Sequence, residues 1–163
     1  MDIDAARLRQ VLTYEPDTGI FRWRVSLGSR SRPGASVGCP DALGYLRVTI
    51  DKKNYKLHRL AFLYMTGEWP AGCVDHIDGD PSNNRWVNLR DVDHYINMQN
   101  RRRARKGNAT GLIGATYCKQ NDNWYSKIRS EGRYITLGRF SSPEEAHAAY
   151  IAAKRRLHPG NTL

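Results

Sequence analysis

Between Val74 and Arg90 the chain reads Val-Asp-His-Ile-Asp-Gly-Asp-Pro-Ser-Asn-Asn-Arg-Trp-Val-Asn-Leu-Arg, an order that few folds accommodate. A carboxylate and an imidazole, Asp75 and His76, follow directly on an apolar residue. Asp78-Gly79-Asp80-Pro81 then imposes a reversal, because glycine reaches backbone conformations that L side chains resist and proline fixes φ. The chain returns through the apolar pair Trp86-Val87 to Asn88. This order predicts a strand, a turn and a second short strand through Trp86-Val87. Nine residues beyond Asn88, Asn97 stands in a stretch that reads as a helix and can face back toward the hairpin. Asp75, His76, Asn88 and Asn97 are therefore expected to converge on one point.

A carboxylate oxygen and an amide oxygen suit a hard cation such as Mg²⁺, which keeps several waters and takes few protein ligands. Mn²⁺ is expected to substitute. A neutral imidazole beside that cation can take a proton from water at physiological pH. These are the parts of metal-assisted phosphodiester hydrolysis. An isolated Asp-His pair would as readily be a strand end, and Asp78–Pro81 an ordinary polar turn; the spacing of all four residues is what points to chemistry.

On Asp75-His76, Asn88 twelve residues after the His, and Asn97 nine residues after that, the stretch resembles the HNH nucleases, also called His-Me finger or ββα-metal nucleases. It is most similar to their phage and homing-endonuclease branch, and the likeness spans roughly residues 55–103. The resemblance implies that His76 is the general base, that Asp75 and Asn97 are metal ligands, and that Asn88 fixes the hairpin loop. It also implies in-line attack by water that leaves 5′-phosphate and 3′-hydroxyl ends. Asn97 stands where the family often carries His. His94 and Asn100, each three residues away and near the same helical face, are the alternative ligands.

Length allows one ordinary domain or two small ones, at 163 residues. Charge is distributed unevenly: residues 1–100 carry 13 Lys+Arg against 12 Asp+Glu, whereas residues 101–163 carry 13 against 4. The C-terminal third is thus the electrostatic anchor, and double-stranded DNA is the expected partner rather than a membrane. Cys39, Cys73 and Cys118 are too scattered for a disulfide framework or a zinc knuckle, so reduced thiols and no structural zinc are expected. The N-terminus has no apolar leader and no run approaches a membrane span, which predicts a soluble, cytoplasmic protein; the resemblance to the phage branch of the HNH nucleases implies that a phage or prophage in a bacterial host encodes it. The oligomeric state is not legible.

Taken in order, residues 3–12 place Ile3, Leu8, Val11 and Leu12 on one helical face after an Asp2 or Asp4 cap. Phe21, Trp23 and Val25 alternate with arginines as a half-buried strand, 26–40 reads as a loop, and Leu46, Val48 and Ile50 lead through a turn at 51–54 into Tyr55-Lys56-Leu57. Residues 58–66 form a mostly buried helix stopped by Gly67. His58 and Arg59 lie at its start, where unpaired N–H groups favour anions and both side chains are candidates for a phosphate contact. Asp91 or Asp93 is expected to cap the helix through 94–100. Arg101, Arg102, Arg103, Arg105 and Lys106 follow it and are candidates for lying along a DNA backbone.

Three short strands are expected at 113–117, 124–129 and 133–138, then a helix with Ser142 as cap, Pro143 at its first position and Glu145 completing a capping box. Alternation sets Trp124, Ser126 and Ile128 on one face and Tyr125, Lys127 and Arg129 on the other, with Ile135 and Leu137 opposed to Tyr134 and Thr136. On Gly114-Ala115, Trp124, Ile128-Arg129, Leu137–Phe140, Glu144–Ala146 and Ala149-Tyr150 this region resembles the APETALA2-type DNA-binding domain. That resemblance implies a sheet laid in the major groove, with Trp124, Lys127, Arg129, Tyr134 and Thr136 as DNA-binding residues. Thr116 and Cys118 stand where the plant domains carry arginines, so base preference does not transfer.

The expected fold class is α+β: a helix with a small antiparallel sheet (1–54), a ββα-metal nuclease core with a basic extension (55–106), a linker (107–111), and a three-stranded antiparallel sheet packed on one helix (112–163). The expected function is a metal-dependent DNA endonuclease. A non-catalytic DNA-binding protein and an RNA-directed nuclease are the alternatives, and nicking is not separable from double-strand cleavage by sequence.

Overall fold

The computed structural model describes residues 2–28, 31–102, 104, 107–108 and 110–162. They form a mixed helix and sheet fold that divides into two compact units, Met1–Asp93 and His94–Leu163.

In the first unit, α1 (Ala5–Val11) starts where Asp4 accepts a hydrogen bond from the Arg7 N–H at 2.7 Å. It ends one residue earlier than its apolar spacing suggests, because Leu12 opens β1 (Leu12–Glu15), which pairs antiparallel with β2 (Ile20–Trp23). Gly19, at φ +75°, closes that hairpin. The segment 26–40, expected to be a loop throughout, contributes β3 (Ser36–Val37) beside β2 and β4 (Cys39–Pro40) beside β5 (Leu46–Ile50). Backbone pairing rather than alternation makes these two-residue strands, which is why hydropathy is blind to them. A two-residue turn at Asp51 and Lys52, both with positive φ, leads from β5 into β6 (Lys53–Lys56).

Helix α2 (Leu57–Thr66) buries Leu57, Leu60, Ala61, Phe62 and Leu63 and ends on Gly67 in the left-handed region. Leu8, Val11, Leu12, Phe21 and Ile50, each at most 1% exposed, complete the core around it. Strand β7 (Cys73–His76) then pairs with β8 (Leu89–Val92), with His76 opposite Leu89 and Asp75 opposite Arg90. The returning strand does not begin at Trp86-Val87. Trp86–Asn88 is a tight 3₁₀ turn instead. The Trp86 N–H donates to the Pro16 carbonyl and its ring packs 4.8 Å from Phe62, while Val87 points to solvent, so pairing is delayed to Leu89. Asp91 does not cap the following helix, because its carboxylate accepts from the Ala71 and Gly72 N–H groups at 2.9 and 3.0 Å.

The second unit begins with α3 (His94–Gln99) and contains the antiparallel strands β9 (Thr116–Cys118), β10 (Asn123–Ser130) and β11 (Arg133–Phe140), in the order β11-β10-β9. β9 starts later than expected: Gly114, at φ +83°, passes so close to Tyr150 that a Cβ there would lie 2.1 Å from the ring. Against this sheet lies α4 (Pro143–Leu157), burying Ala146 and Ala153 over Ser126 and Ile128. Its start follows the sequence expectation: Ser142 Oγ accepts from the Glu145 N–H, and Glu145 accepts from the Ser141 N–H. Leu137 sits in a β-bulge, since Ser126 pairs with Gly138 but Lys127 with Thr136, and Ile135 stays 40% exposed although it opposes buried Ile128.

Candidate active site

At the end of β7, Asp75 and His76 are 8% and 4% exposed, unusual burial for a carboxylate and an imidazole unless polar partners hold them. Asp75 has its partner across the hairpin: Arg90 donates from Nε at 2.9 Å and from Nη2 at 2.7 Å, both to Oδ2. His76 Nε2 lies 3.1 Å from Oδ1 of Asn84, itself 1% exposed. In the tautomer with the proton on Nε2, the ring donates to Asn84 Oδ1 and its basic lone pair is on Nδ1. The His58 ring stands edge-on to His76 at 5.0 Å, and Tyr45 lies 5.8 Å away.

The turn between the strands is clasped by Asn88. Its side-chain oxygen accepts from the Asp78 N–H at 3.0 Å, and its NH₂ donates to Asp78 Oδ1 at 2.9 Å and to the Asn83 carbonyl at 2.8 Å. Burial raises the Asp78 carboxyl, but the Asp80 N–H, the Asn83 and Asn88 amides and His76 outweigh it and hold that carboxyl below its ordinary value. The other side of the turn is braced by the N-terminal hairpin. Tyr14 donates to the Asn84 carbonyl at 2.7 Å, and a Cβ on Gly19 would lie 2.4 Å from the Asn84 carbonyl carbon.

Residues 55–99 match a family model described as HNH endonuclease. Over 93 residues the chain is 35% identical to Protein 3.8 of Escherichia phage T7, an alignment that takes in 56% of this chain and 75% of that protein. This chain belongs to the HNH endonuclease family. It is also similar to a chain in a solved structure of DNA binding and cleavage by the HNH homing endonuclease I-HmuI, with 26% identity and a TM-score of 0.44 over 61% of this chain and 57% of that one. It thus spans less than two thirds of that chain's length.

Within the HNH segment, the first unit brings Asp75, His76 and Asn88 together on one hairpin, while Asn97 lies on α3 in the second unit, with His94 at the start of the same helix. Among the described residues no three His, Cys, Asp or Glu side chains gather as a cage. A cation here would be held by few protein atoms, the donor chemistry of a hard ion that completes its shell with water and phosphate, and the Asp75 carboxylate fits that role.

His58 and Arg59 occupy the first turn of α2. His58 is 5% exposed and faces the His76 ring. Burial first, then the charges of His76, Lys56 and Arg59, push its imidazole down to about 3, so it is neutral at physiological pH. Arg59 donates to the Gly72 carbonyl at 3.3 Å and lies over the Trp69 ring. Asn84 and Arg90 were not singled out by sequence. Asn84 reads as one more polar turn residue, whereas Arg90 would follow from the β7–β8 register, because cross-strand neighbours of opposite charge pair.

In the second unit, Lys127, Arg129, Tyr134 and Thr136 lie exposed on one side of the sheet. Lys127 Nζ is 4.9 Å from the Tyr134 ring centroid and Arg129 Cζ is 5.9 Å from it. Alternation sets Trp124 with Ser126 and Ile128 rather than with these cations, and its ring rests 5.1 Å from Tyr117. Arg101 is exposed and its carbonyl accepts from buried Lys154, while Arg102 donates to the Thr162 carbonyl and hydroxyl. The candidates Arg103, Arg105 and Lys106 lie outside the described residues. No helix among the described residues is long and apolar enough to cross a membrane.

Proposed function

We propose that this chain is a metal-dependent DNA endonuclease that hydrolyses phosphodiester bonds, with catalysis at the β7–β8 hairpin. The observation that carries the reading is the held imidazole: His76 is buried, fixed by Asn84 and adjacent to Asp75 inside the segment that matches the HNH model. His76 takes a proton from the attacking water, and the Asn84 amide oxygen stabilises the imidazolium that results. Asn88 and Asp78 keep the turn from yielding as that charge develops. Asp75 would hold the cation, Mg²⁺ or Mn²⁺, with Asn97 as the second ligand that the family resemblance implies, and the cation would supply Lewis-acid stabilisation of the negative charge that develops on the phosphodiester.

The second unit supplies targeting in this reading. Its sheet binds duplex DNA in the manner of the APETALA2-type domain, with Lys127, Arg129, Tyr134 and Thr136 facing the groove and Arg101, Arg102, Arg103, Arg105 and Lys106 along the backbone. Support comes from the exposed cationic and aromatic face and from 13 basic against 4 acidic residues after position 100. Two weak DNA-binding parts on one chain raise each other's effective concentration at the target.

The test is conversion of supercoiled plasmid by wild type and His76→Ala with Mg²⁺, Mn²⁺ or EDTA, alongside duplex binding. Wild type is expected to nick or linearise DNA only with metal, and His76→Ala to bind equally while cleaving about 10²–10⁴-fold more slowly. Binding by both proteins with no cleavage in any metal, on plasmid and on a random-sequence library alike, would overturn it in favour of a non-catalytic DNA-binding protein.

A further inference from the structure

Arg90 is directly opposite Asp75 in the β7–β8 register, and both of its donating nitrogens converge on one carboxylate oxygen. The Asp75 side chain is 9% exposed and that of Arg90 25%, so the pair sits where water screens it weakly. A guanidinium does not give up its proton at any working pH. Asp75 therefore carries a fixed counter-charge before any cation arrives. This matters only on the reading given above, in which the same carboxylate holds a divalent ion.

A divalent ion approaching Asp75 then meets a ligand already compensated and a permanent positive charge within hydrogen-bond distance of it. The local charge favours the ion only once further negative charge is delivered, and the substrate phosphate is the group that delivers it. We propose that Arg90 makes cation binding at Asp75 conditional on DNA: it holds the carboxylate ordered and charge-compensated in the free protein, and turns loading of the metal into a consequence of docking a phosphate. Coupling of this kind is reciprocal, so the cation must tighten DNA by the factor that DNA tightens the cation. Arg90 is thus a positioning residue that sets the order of assembly. It guards the free protein against a loaded site without substrate.

The test uses the full chain in a His76→Ala background, which slows cleavage about 10²–10⁴-fold, and reads binding rather than turnover. Free Mn²⁺ is counted by its electron paramagnetic resonance signal during titration without DNA, and duplex affinity is measured by fluorescence anisotropy with EDTA and with Mn²⁺. The expected result is weak Mn²⁺ binding by the Arg90-containing protein, about tenfold or more tighter binding by Arg90→Gln, and loss of that gain in Arg90→Gln/Asp75→Asn. Arg90→Lys, which keeps the charge, should resemble the parent. Mn²⁺ should tighten DNA binding by the parent, and do so less for Arg90→Gln.

Mn²⁺ binding by the parent that is already tight without DNA overturns the proposal with no variant needed. So does Arg90→Gln binding Mn²⁺ no better than the parent at an unchanged thermal unfolding midpoint. If Arg90→Gln does not fold, Arg90→Lys decides: parent-like Mn²⁺ affinity supports the charge, and a tenfold gain overturns it. If Asp75→Asn leaves the effect of Mn²⁺ on DNA binding untouched, the metal reading itself has failed. If Asp75→Asn abolishes that effect and Arg90→Gln leaves it as in the parent, only the role of Arg90 has.

Discussion

The β7–β8 hairpin and the C-terminal sheet treat polar side chains in opposite ways. In the hairpin, Asp75, His76, Asn84 and Asn88 are all under 10% exposed and hold one another or Arg90 and Asp78. On the sheet, Lys127, Arg129, Tyr134 and Thr136 stand in solvent, and the contacts of the two cations there are to aromatic rings. Proton transfer needs an imidazole fixed within tenths of an ångström, which burial and hydrogen bonds provide. Contact with a groove needs cations that give up only water on binding. Substitutions in the two regions should therefore fail differently: in the first through geometry and stability, in the second through salt-dependent affinity.

Gly19→Ala breaks the comparison most severely. A Cβ there would meet the Asn84 backbone at 2.4 Å, at a positive φ that alanine resists, so a loss of about 3 kcal/mol is expected in urea unfolding, with cleavage reduced beyond what the unfolded fraction explains. Asn84→Ala removes the oxygen that orients His76. Cleavage should fall by roughly 10²-fold, about 2.7 kcal/mol in the barrier, with duplex affinity unchanged; equal activity would mean that the turn backbone alone positions the ring.

The pH dependence of stability sharpens the contrast further. His58 is pushed down to about 3 in the folded protein by burial and then by its charged neighbours, whereas an unfolded histidine takes up a proton near pH 6.5. Between those values the unfolded chain binds a proton that the folded chain refuses. Stability from this group is present above pH 6.5 and is lost as pH falls, by about 1.4 kcal/mol per unit inside that window. His58→Phe should flatten the profile between pH 7 and 5, and parallel profiles would mean that water reaches the ring. The smallest effect is expected on the sheet. Lys127→Ala should leave stability within about 0.5 kcal/mol, weaken duplex binding across sequences and reduce the log–log salt slope by about 0.9.

Much of this arrangement was legible in residue order. Helix α4 announced itself through Ser142, Pro143 and Glu145, and the structure starts it there, because a cap is a local contest between a side chain and the first free N–H groups. The pairing of Asp75 with His76 at a strand end was equally local. What misled was the apolar pair Trp86-Val87. Trp86 is drawn into the core by Phe62 and Pro16, contacts 24 and 70 residues away in sequence, and no hydropathy pattern carries that information.

Sequence alone therefore determined the chemical types at the hairpin and the sign of charge on the C-terminal third, since both are properties of residues in order. Only the tertiary structure decided that Asn84 holds His76, that the N-terminal hairpin braces Asn84, that His58 is buried neutral against His76, and that Asp75 answers to Arg90. Each of those depends on strand register or on a long-range contact, which exists only after chain segments distant in sequence have packed together.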